Sequence, residues 1–296
     1  METVPVMVGA RRRVLTCAST AVGRLIKMTR KTIALATALL GISGCAVDRH
    51  SQVRAADTPP LAITWVKDAA EYRAVSLQAY RAASLALPAL VDDKSWSAIP
   101  YQSGADALPP AIIMDVDETV VTNVLFQLEL EPPFRNSKLD DWNAANKAIP
   151  VPGAPDFIRL ARASGVEVFF VTNRPCEPKP DVSHPCPQEA VTIQDLYETG
   201  VAADADHVML SNEKPEWSRE KKIRRDLIAE DYRVIMLIGD DLGDFIPCTR
   251  RRPLAPCTEG GTIENRRALT DEHADYWGAG WFVLPNPMHG SWTTVR

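Results

Sequence analysis

Two aspartates separated by one residue, Asp115 and Asp117, directly follow the apolar stretch 111–114. A continuous apolar run of this length predicts a strand that is buried on both faces. A carboxylate that follows such a strand lies at the carboxyl edge of an open α/β sheet, where ligands bind. A lone Asp-x-Asp is more often an acidic turn with no catalytic or binding role. Whether these aspartates have such a role depends on which residues follow the other strands.

Two further stretches also run into polar residues: 166–171, which is β-branched and aromatic apart from Glu167, and 234–238, which is wholly apolar. The first continues as Thr-Asn-Arg and the second as Gly-Asp-Asp-Leu-Gly-Asp. The polar residues of interest are Thr172, Asn173, Arg174, Asp240 and Asp244. The tips of parallel strands share one edge, and carboxylates gathered there repel one another unless a cation joins them. Oxygen ligands suit Mg²⁺, so the sequence predicts a magnesium site at this edge.

Phosphoryl transfer is the chemistry that such residues suit. One carboxylate can attack phosphorus and form an aspartyl-phosphate. A second carboxylic acid, two residues on, can protonate the leaving alcohol and then deprotonate the water that hydrolyses the intermediate. A lysine would stabilise the transferring phosphoryl group. Lys214, Lys221 and Lys222 are the candidates, and a solvated helix face is the alternative for each.

Helices and apolar strands alternate along the chain, which predicts a parallel sheet with helices on both faces. Helices are predicted at 65–90, from 115 to about 130, and at 153–164, 189–198, 216–229 and 263–274. Strands are predicted at 111–114, 166–171, 207–210, 234–238 and 281–284. The first helix is expected to bury Tyr72, Val75, Ala79, Ala82 and Ala86 and to end at Pro88. Residues 131–152 are predicted to be irregular.

The N-terminal segment has the shape of an export signal, with basic residues before the apolar run 32–43 and Gly-Cys after it. The run is too short to span a bilayer. We expect residues 1–44 to be the signal, 45–60 an anchor and tether, and 61–296 the folded domain. Met28 is an alternative start, which would make 1–27 surplus.

The residues before Cys45, Ile-Ser-Gly, resemble the bacterial lipobox, in which the cysteine becomes the acylated N-terminus. An ordinary secretory signal with an incidental cysteine is the alternative. By the same resemblance, Ala46 favours the outer membrane.

The charge of the chain argues against a nucleic-acid partner. Residues 1–44 hold seven of the 33 basic residues and one of the 38 acidic residues, which leaves 26 basic and 37 acidic residues and a formal net charge of −11. A surface of this sign repels phosphate backbones. An anionic substrate must therefore be attracted by local cations or a metal.

Four cysteines remain in the expected domain, namely Cys176, Cys186, Cys248 and Cys257. An even number in an exported protein predicts disulfides, and four cysteines allow three connectivities. We expect the two local pairs, Cys176–Cys186 and Cys248–Cys257, which close short proline-rich loops. A metal site is the alternative, but the spacings match no zinc pattern.

Four motifs in order resemble those of haloacid-dehalogenase (HAD) superfamily phosphatases. They are Asp115-Val116-Asp117-Glu118-Thr119, Val171-Thr172-Asn173-Arg174, Lys221 with Arg224-Arg225, and Gly239-Asp240-Asp241-Leu242-Gly243-Asp244-Phe245. The chain is more closely similar to the class C acid phosphatases, the lipoprotein 5′-nucleotidase-like group of the outer membrane. This resemblance implies a HAD-like Rossmannoid α/β fold, with a small helical cap from the N-terminal segment and the 131–152 insertion.

The resemblance also implies roles for the site residues. Asp115 would be the nucleophile, and Asp117 the general acid/base whose backbone carbonyl also binds Mg²⁺. Thr172 and Lys221 would contact the phosphoryl group, and Asp240 and Asp244 would complete the metal site with Asp115. Asn173 and Arg174 would bind substrate, and Trp142 would stack on a nucleobase, with core packing as its alternative. His289 departs from the family, which has a tyrosine there.

The implied function is a Mg²⁺-dependent acid phosphomonoesterase that acts on nucleotides or other small monoesters. It would face the periplasm or the cell surface from a lipid anchor, and relatives are often homodimers. The alternatives are a catalytically silent binding or storage lipoprotein and a phosphotransferase that uses the same residues.

Overall fold

The computed structural model describes residues 59–295, so the expected export signal, Cys45 and most of the tether lie outside the described residues. Five strands form a parallel sheet in the order β5–β4–β1–β6–β7. These strands are β1 (Pro110–Met114), β4 (Glu167–Pro175), β5 (Val208–Ser211), β6 (Arg233–Gly239) and β7 (Trp281–Val283). A short antiparallel pair, β2 (Val121–Thr122) and β3 (Ile149–Pro150), lies apart from that sheet.

Eight α-helices connect or cover the strands in the part of the chain that the structure describes. They are α1 (Leu61–Asp68), α2 (Ala70–Asp92), α3 (Val124–Glu129), α4 (Asn136–Ala144), α5 (Ala154–Ala163), α6 (Pro187–Glu198), α7 (Lys222–Asp231) and α8 (Ile263–Glu272). The strand–helix alternation and the parallel sheet confirm the predicted fold class.

Both faces of the sheet are buried, which explains why its strands are continuous apolar runs. In β1, Ile112 and Met114 pack into one cluster with residues of α2, α5 and α6. The alternate residues Ala111 and Ile113 pack into a second cluster with residues of α7 and α8. Because successive side chains of a strand point to opposite faces, a strand covered on both sides has no polar face to show.

The N-terminal segment and the insertion supply additional small helices. α1 and α2 share an apolar cluster with α3 through Ile63, Val66, Tyr72 and Val124. The insertion was predicted to be irregular, and this was wrong, because it contains α4 and β3. The buried residues of α4 include Asp140 and Asn143, so the helix has no apolar stripe from which it could be predicted.

The N-terminal helix also differs from its prediction. It is two helices, and α2 continues beyond Pro88 to Asp92. Its buried face lies one residue away from the expected one, and Val75 is 42% exposed. The buried residues of α2 are Tyr72, Ser76, Tyr80, Ala83 and Leu87. By length and composition alone, α2 could cross a membrane, but one of its faces belongs to the core of the domain.

The extension of α2 is stabilised from the sheet by Arg233. Its guanidinium is fully buried and donates to carbonyls at and just beyond the end of the helix. The acceptors are the carbonyl oxygens of Leu90, Val91, Asp93 and Trp96, at 2.8–3.2 Å. The last carbonyls of a helix have no partner within the helix, and a cation at that end also complements the helix dipole.

We expect Arg233→Met to lower the free energy of unfolding by about 3 kcal/mol, because it removes charge-assisted hydrogen bonds and leaves buried carbonyls without donors. Urea denaturation measures this loss. Arg159→Met is the control, since Arg159 is largely exposed and pairs only with exposed Asp156. The control should change stability by less than about 0.5 kcal/mol. Equal losses in both variants would contradict the role of Arg233.

Candidate active site

Asp115 stands at the end of the central strand of the sheet. Its backbone N–H still belongs to the sheet ladder and donates to the carbonyl of Ile238 at 2.9 Å. The chain then turns sharply at Glu118, which has a φ of 61°. The Glu118 carboxylate is buried and accepts from Asn123 and Thr122, so it holds this turn together. The turn therefore leaves the Asp115 side chain at the carboxyl edge of the sheet.

Lys221 is the lysine that reaches this edge. Its ammonium is 4% exposed, donates to Asp115 Oδ1 and lies 2.7 Å from Asp244 Oδ1. The other two candidates lie elsewhere, Lys214 over the ring of Trp217 and Lys222 beside Asp226. Lys221 directly precedes α7 because that helix begins at Lys222, six residues later than predicted.

Three carboxylates converge beside this ammonium. Side-chain oxygens of Asp115, Asp240 and Asp244 all lie within 4.8 Å of one another. Asp244 is brought back to the strand end by a short helical turn, where its Oδ2 accepts from the backbone N–H groups of Asp240 and Asp241. Gly239 makes this return possible, because a Cβ at that position would lie 2.3 Å from Asp244 Oδ2.

The electrostatics of this cluster fit a divalent cation. Burial raises the pKa of Asp115 to about 6. The negative charges of Asp244 and Asp117 also raise this pKa, whereas the positive charge of Lys221 lowers it. Burial and repulsion by Asp115 and Asp244 also raise the pKa of Asp240 well above its usual range. Three carboxylates and one ammonium carry a net charge of −2 when all are ionised, which a divalent cation would neutralise. The donor set is all oxygen, as such cations prefer.

Asp117 faces a different partner. Its carboxylate accepts from Arg174 Nη2 at 2.8 Å and from Asn123 Nδ2 at 2.6 Å. Burial raises the pKa of Asp117, but Arg174 and Asn123 more than offset this, so the pKa lies below its usual value. Arg174 was expected to bind substrate, whereas the structure places its guanidinium, 3% exposed, between Asp117 and Asp195.

Thr172 and Asn173 occupy the end of the neighbouring strand β4. Thr172 is fully buried, and its Oγ1 accepts from the backbone N–H of Arg174 at 3.1 Å. Arg224, from α7, donates to the Thr172 carbonyl at 2.6 Å and to Asn173 Oδ1 at 3.2 Å. The adjacent Arg225 donates to carbonyls of the loop that carries Asp244.

Trp142 is buried in the insertion. Its ring is 6% exposed and meets the ring of Phe126 edge-on at a centroid distance of 5.8 Å. Both rings line a cavity of about 250 Å³ together with Lys138. This packing matches the alternative in which Trp142 is a core residue, and stacking on a nucleobase stays a prediction.

The C-terminal segment contributes residues that motif reasoning left without a role. Asn286 donates to Asp240 Oδ2 at 2.7 Å. His289 Nε2 lies 3.6 Å from Glu118 Oε1. Burial lowers the pKa of His289, but Glu118, Asp117 and Asp115 outweigh it and raise the pKa above its usual value. The sequence shows His289 at the end of a Pro-Asn-Pro-Met-His segment, but it gives no signal that His289 lies beside Glu118.

The structure contains the two local disulfides that were expected, Cys176–Cys186 and Cys248–Cys257. The first closes the loop between β4 and α6. The second lies in the loop that follows Asp244, and the N–H of Cys248 donates to Glu220, the neighbour of Lys221. Both covalent loops therefore begin within a few residues of the site.

A family model, described as HAD superfamily, subfamily IIIB (acid phosphatase), matches residues 43–292. The chain belongs to this family of acid phosphatases. Among solved structures it is similar to the class C acid phosphatase from Bacillus anthracis, with 26% identity and a TM-score of 0.61 over 80% of this chain and 86% of that chain. A tungstate-bound crystal structure of class C acid phosphatase from the same organism matches with 25% identity and a TM-score of 0.61, over 81% and 88% of the two chains.

These matches confirm the predicted HAD class C family and the assignment as a phosphatase. Acid phosphatases of this family cleave phosphate monoesters, and HAD phosphatases typically use a divalent metal, for which the acidic cluster of this acid phosphatase is suited.

Proposed function

We propose that this acid phosphatase hydrolyses nucleotides or other small phosphate monoesters through an aspartyl-phosphate on Asp115, with Mg²⁺ as its metal. The observation that carries the proposal is the convergence of Asp115, Asp240 and Asp244 around Lys221. The tungstate-bound relative adds support, because tungstate is an oxyanion and that protein is a class C acid phosphatase.

The proposed reaction has two steps, and each forms one bond to phosphorus and breaks another. An Asp115 oxygen bonds to phosphorus, the bond from phosphorus to the ester oxygen breaks, and a proton on Asp117 moves to that oxygen. Water then bonds to phosphorus, the bond to Asp115 breaks, and the water proton returns to Asp117. A bound phosphate would place negative charge beside Asp117 and so raise the pKa of this carboxylate. Asp117 would therefore take up a proton when the substrate binds.

The other residues would hold the phosphoryl group during both steps. The Lys221 ammonium would stabilise its developing charge, and the buried Thr172 would donate a hydrogen bond to it. Asp115, Asp240, Asp244 and the backbone carbonyl of Asp117 would hold Mg²⁺. The ion would act as a Lewis acid on a phosphoryl oxygen.

Asp115→Asn should abolish turnover of nucleoside monophosphates, sugar phosphates and aryl phosphate, because an amide oxygen does not form the covalent intermediate. Phosphate release at acidic pH with Mg²⁺ measures this, and circular dichroism confirms the fold. Asp226→Asn is the control, since Asp226 is a partly exposed carboxylate that pairs with Lys222. Wild-type turnover by the Asp115 variant would end the aspartyl-phosphate mechanism, and the wild-type panel identifies the preferred ester.

Metal removal should silence the enzyme. After EDTA treatment and buffer exchange, the carboxylate cluster retains its net negative charge and repels the phosphate dianion. We expect activity to fall by at least about 10²-fold and to return with added Mg²⁺, while Ca²⁺, which prefers longer bonds and more ligands, should restore less. An unchanged rate in EDTA would rule out the metal assignment.

We also propose that residues 1–44 are removed and that Cys45 carries a lipid at the outer membrane. The support is the basic, apolar and Ile-Ser-Gly-Cys order of the N-terminus. Cys45→Ala should move the protein from the membrane fraction to the soluble fraction, as measured by immunoblot of fractionated cells. Wild-type protein that is already soluble would contradict the anchor. The expected homodimer stays a prediction, which light scattering of the Cys45→Ala protein checks.

A further inference from the structure

Arg174 links the Asp117 side chain to a second buried carboxylate, that of Asp195, which lies outside the site. Arg174 Nε lies 3.1 Å from both oxygens of Asp117, and Nη2 lies 2.8 Å from Oδ1. On its far side, Arg174 Nη1 donates to Asp195 Oδ2 at 2.7 Å. The guanidinium thus contacts two carboxylates through different nitrogens, Nε and Nη2 on Asp117 and Nη1 on Asp195, an arrangement that the single ammonium of a lysine does not offer.

Asp195 lies on α6 and has no exposed side-chain surface. Its Oδ1 has no hydrogen-bond partner among the described residues. Burial raises the pKa of Asp195 against the opposing effect of Arg174. A buried carboxylate with one unsatisfied oxygen is costly, and the ion pair with Arg174 is what offsets this cost. The charge of Asp195 is therefore useful only through Arg174.

The elements that carry these two residues are joined covalently. Cys176 is two residues beyond Arg174 at the end of β4, and Cys186 directly precedes α6. The disulfide between them holds the two Cα atoms 4.9 Å apart. Thr192, one turn before Asp195, lies 3.4 Å from Arg174 Nη1 and completes the pocket for the guanidinium. Arg174 has little freedom to leave Asp117.

We propose that Asp195 is a positioning residue, which acts through Arg174 to hold the Asp117 carboxylate in the orientation that delivers a proton to the leaving group. This inference rests on the proposed role of Asp117 and extends it to a residue outside the four motifs. It also assigns Arg174 to positioning the proton donor instead of binding substrate.

The dependence of the rate on the acidity of the leaving group tests this role. If Asp195 only stabilised the fold, its replacement would not change this dependence. When a proton is delivered correctly, the departing oxygen leaves as a neutral alcohol, and the rate depends little on its acidity. When the donor is misplaced, the oxygen leaves as an anion, and weakly acidic leaving groups become slow. A series of substituted phenyl phosphates, from dinitrophenyl to methoxyphenyl, varies this acidity with little change of shape.

The experiment measures kcat/KM with Mg²⁺ across this series for the wild type, Asp195→Leu and Asp195→Asn. The leucine removes the acceptor for Nη1, and we expect a loss of roughly 10²-fold for methoxyphenyl phosphate but less than about threefold for dinitrophenyl phosphate. Asparagine keeps an oxygen but loses the charge, so its selective loss should be intermediate, about fivefold, since neutral hydrogen bonds are weaker.

Asp140→Asn is the matched control. Asp140 is also buried and accepts from Gln188 on α6, but it has no contact with Asp117 or Arg174. Its dependence on the leaving group should equal that of the wild type. A uniform loss across the series, an unchanged dependence in the Asp195 variants, or the same steepening in Asp140→Asn would each overturn the inference. If Asp195→Leu does not fold, Asp195→Asn alone decides.

The outcome also separates this inference from the proposed function. A folded wild type that releases phosphate from no member of the series would contradict the phosphomonoesterase itself. A wild type that turns over the series, with Asp195 variants whose rates keep the wild-type dependence, would contradict only the role of Asp195.

Discussion

The repulsion among carboxylates at one edge of the sheet is the constraint on which the rest of the site depends. The sheet places Asp115 and Asp240 on adjacent strand ends, and a short turn returns Asp244 to the same point. In a buried setting, such groups would take up protons rather than remain charged together. The chain opposes this at the carboxylate cluster with the buried ammonium of Lys221, which contacts Asp115 and Asp244. A bound divalent metal would complete this balance rather than create it.

Lys221 is one of three buried cations in a short stretch at the start of α7. Lys221, Arg224 and Arg225 are spaced by three and four residues, so they lie on one side of the helix. Lys221 contacts the ends of β1 and the loop after β6, Arg224 contacts the carbonyl of Thr172, and Arg225 contacts the carbonyl of Asp244. One helix end thereby holds three strand ends in register. Both arginines bind backbone carbonyls, so they fix positions of the chain without neutralising the acids that the chemistry needs.

The sequence predicted those parts of the molecule that follow from periodicity and from strand ends. Apolar runs identified all five parallel strands, and the polar residues after them identified Asp115, Thr172 and Asp240 as neighbours. Local patterns failed where tertiary contacts decide. Helix α4 buries Asp140 and Asn143, and α2 passes Pro88 because Arg233, 145 positions later in the chain, satisfies its last carbonyls. Asp195 belongs to no motif, since its partner is distant in sequence and becomes visible only when β4 and α6 are placed side by side.

The two aspartates of the first motif are one residue apart, yet they belong to separate charge systems. Asp115 shares its surroundings with Asp240, Asp244 and Lys221, a group short of positive charge and suited to a metal. Asp117 points to Arg174 and Asp195, where one guanidinium already lies between two acids. Asp115 and Asp117 would point to the same side of an extended strand, but β1 ends at Met114 and the chain turns at Glu118, so the two carboxylates face different partners. In the proposed mechanism, the nucleophile must be ionised when it attacks, whereas the proton carrier must gain and lose a proton. The two separate charge environments would let a metal ionise Asp115, whose pKa is otherwise raised, without binding the Asp117 carboxylate.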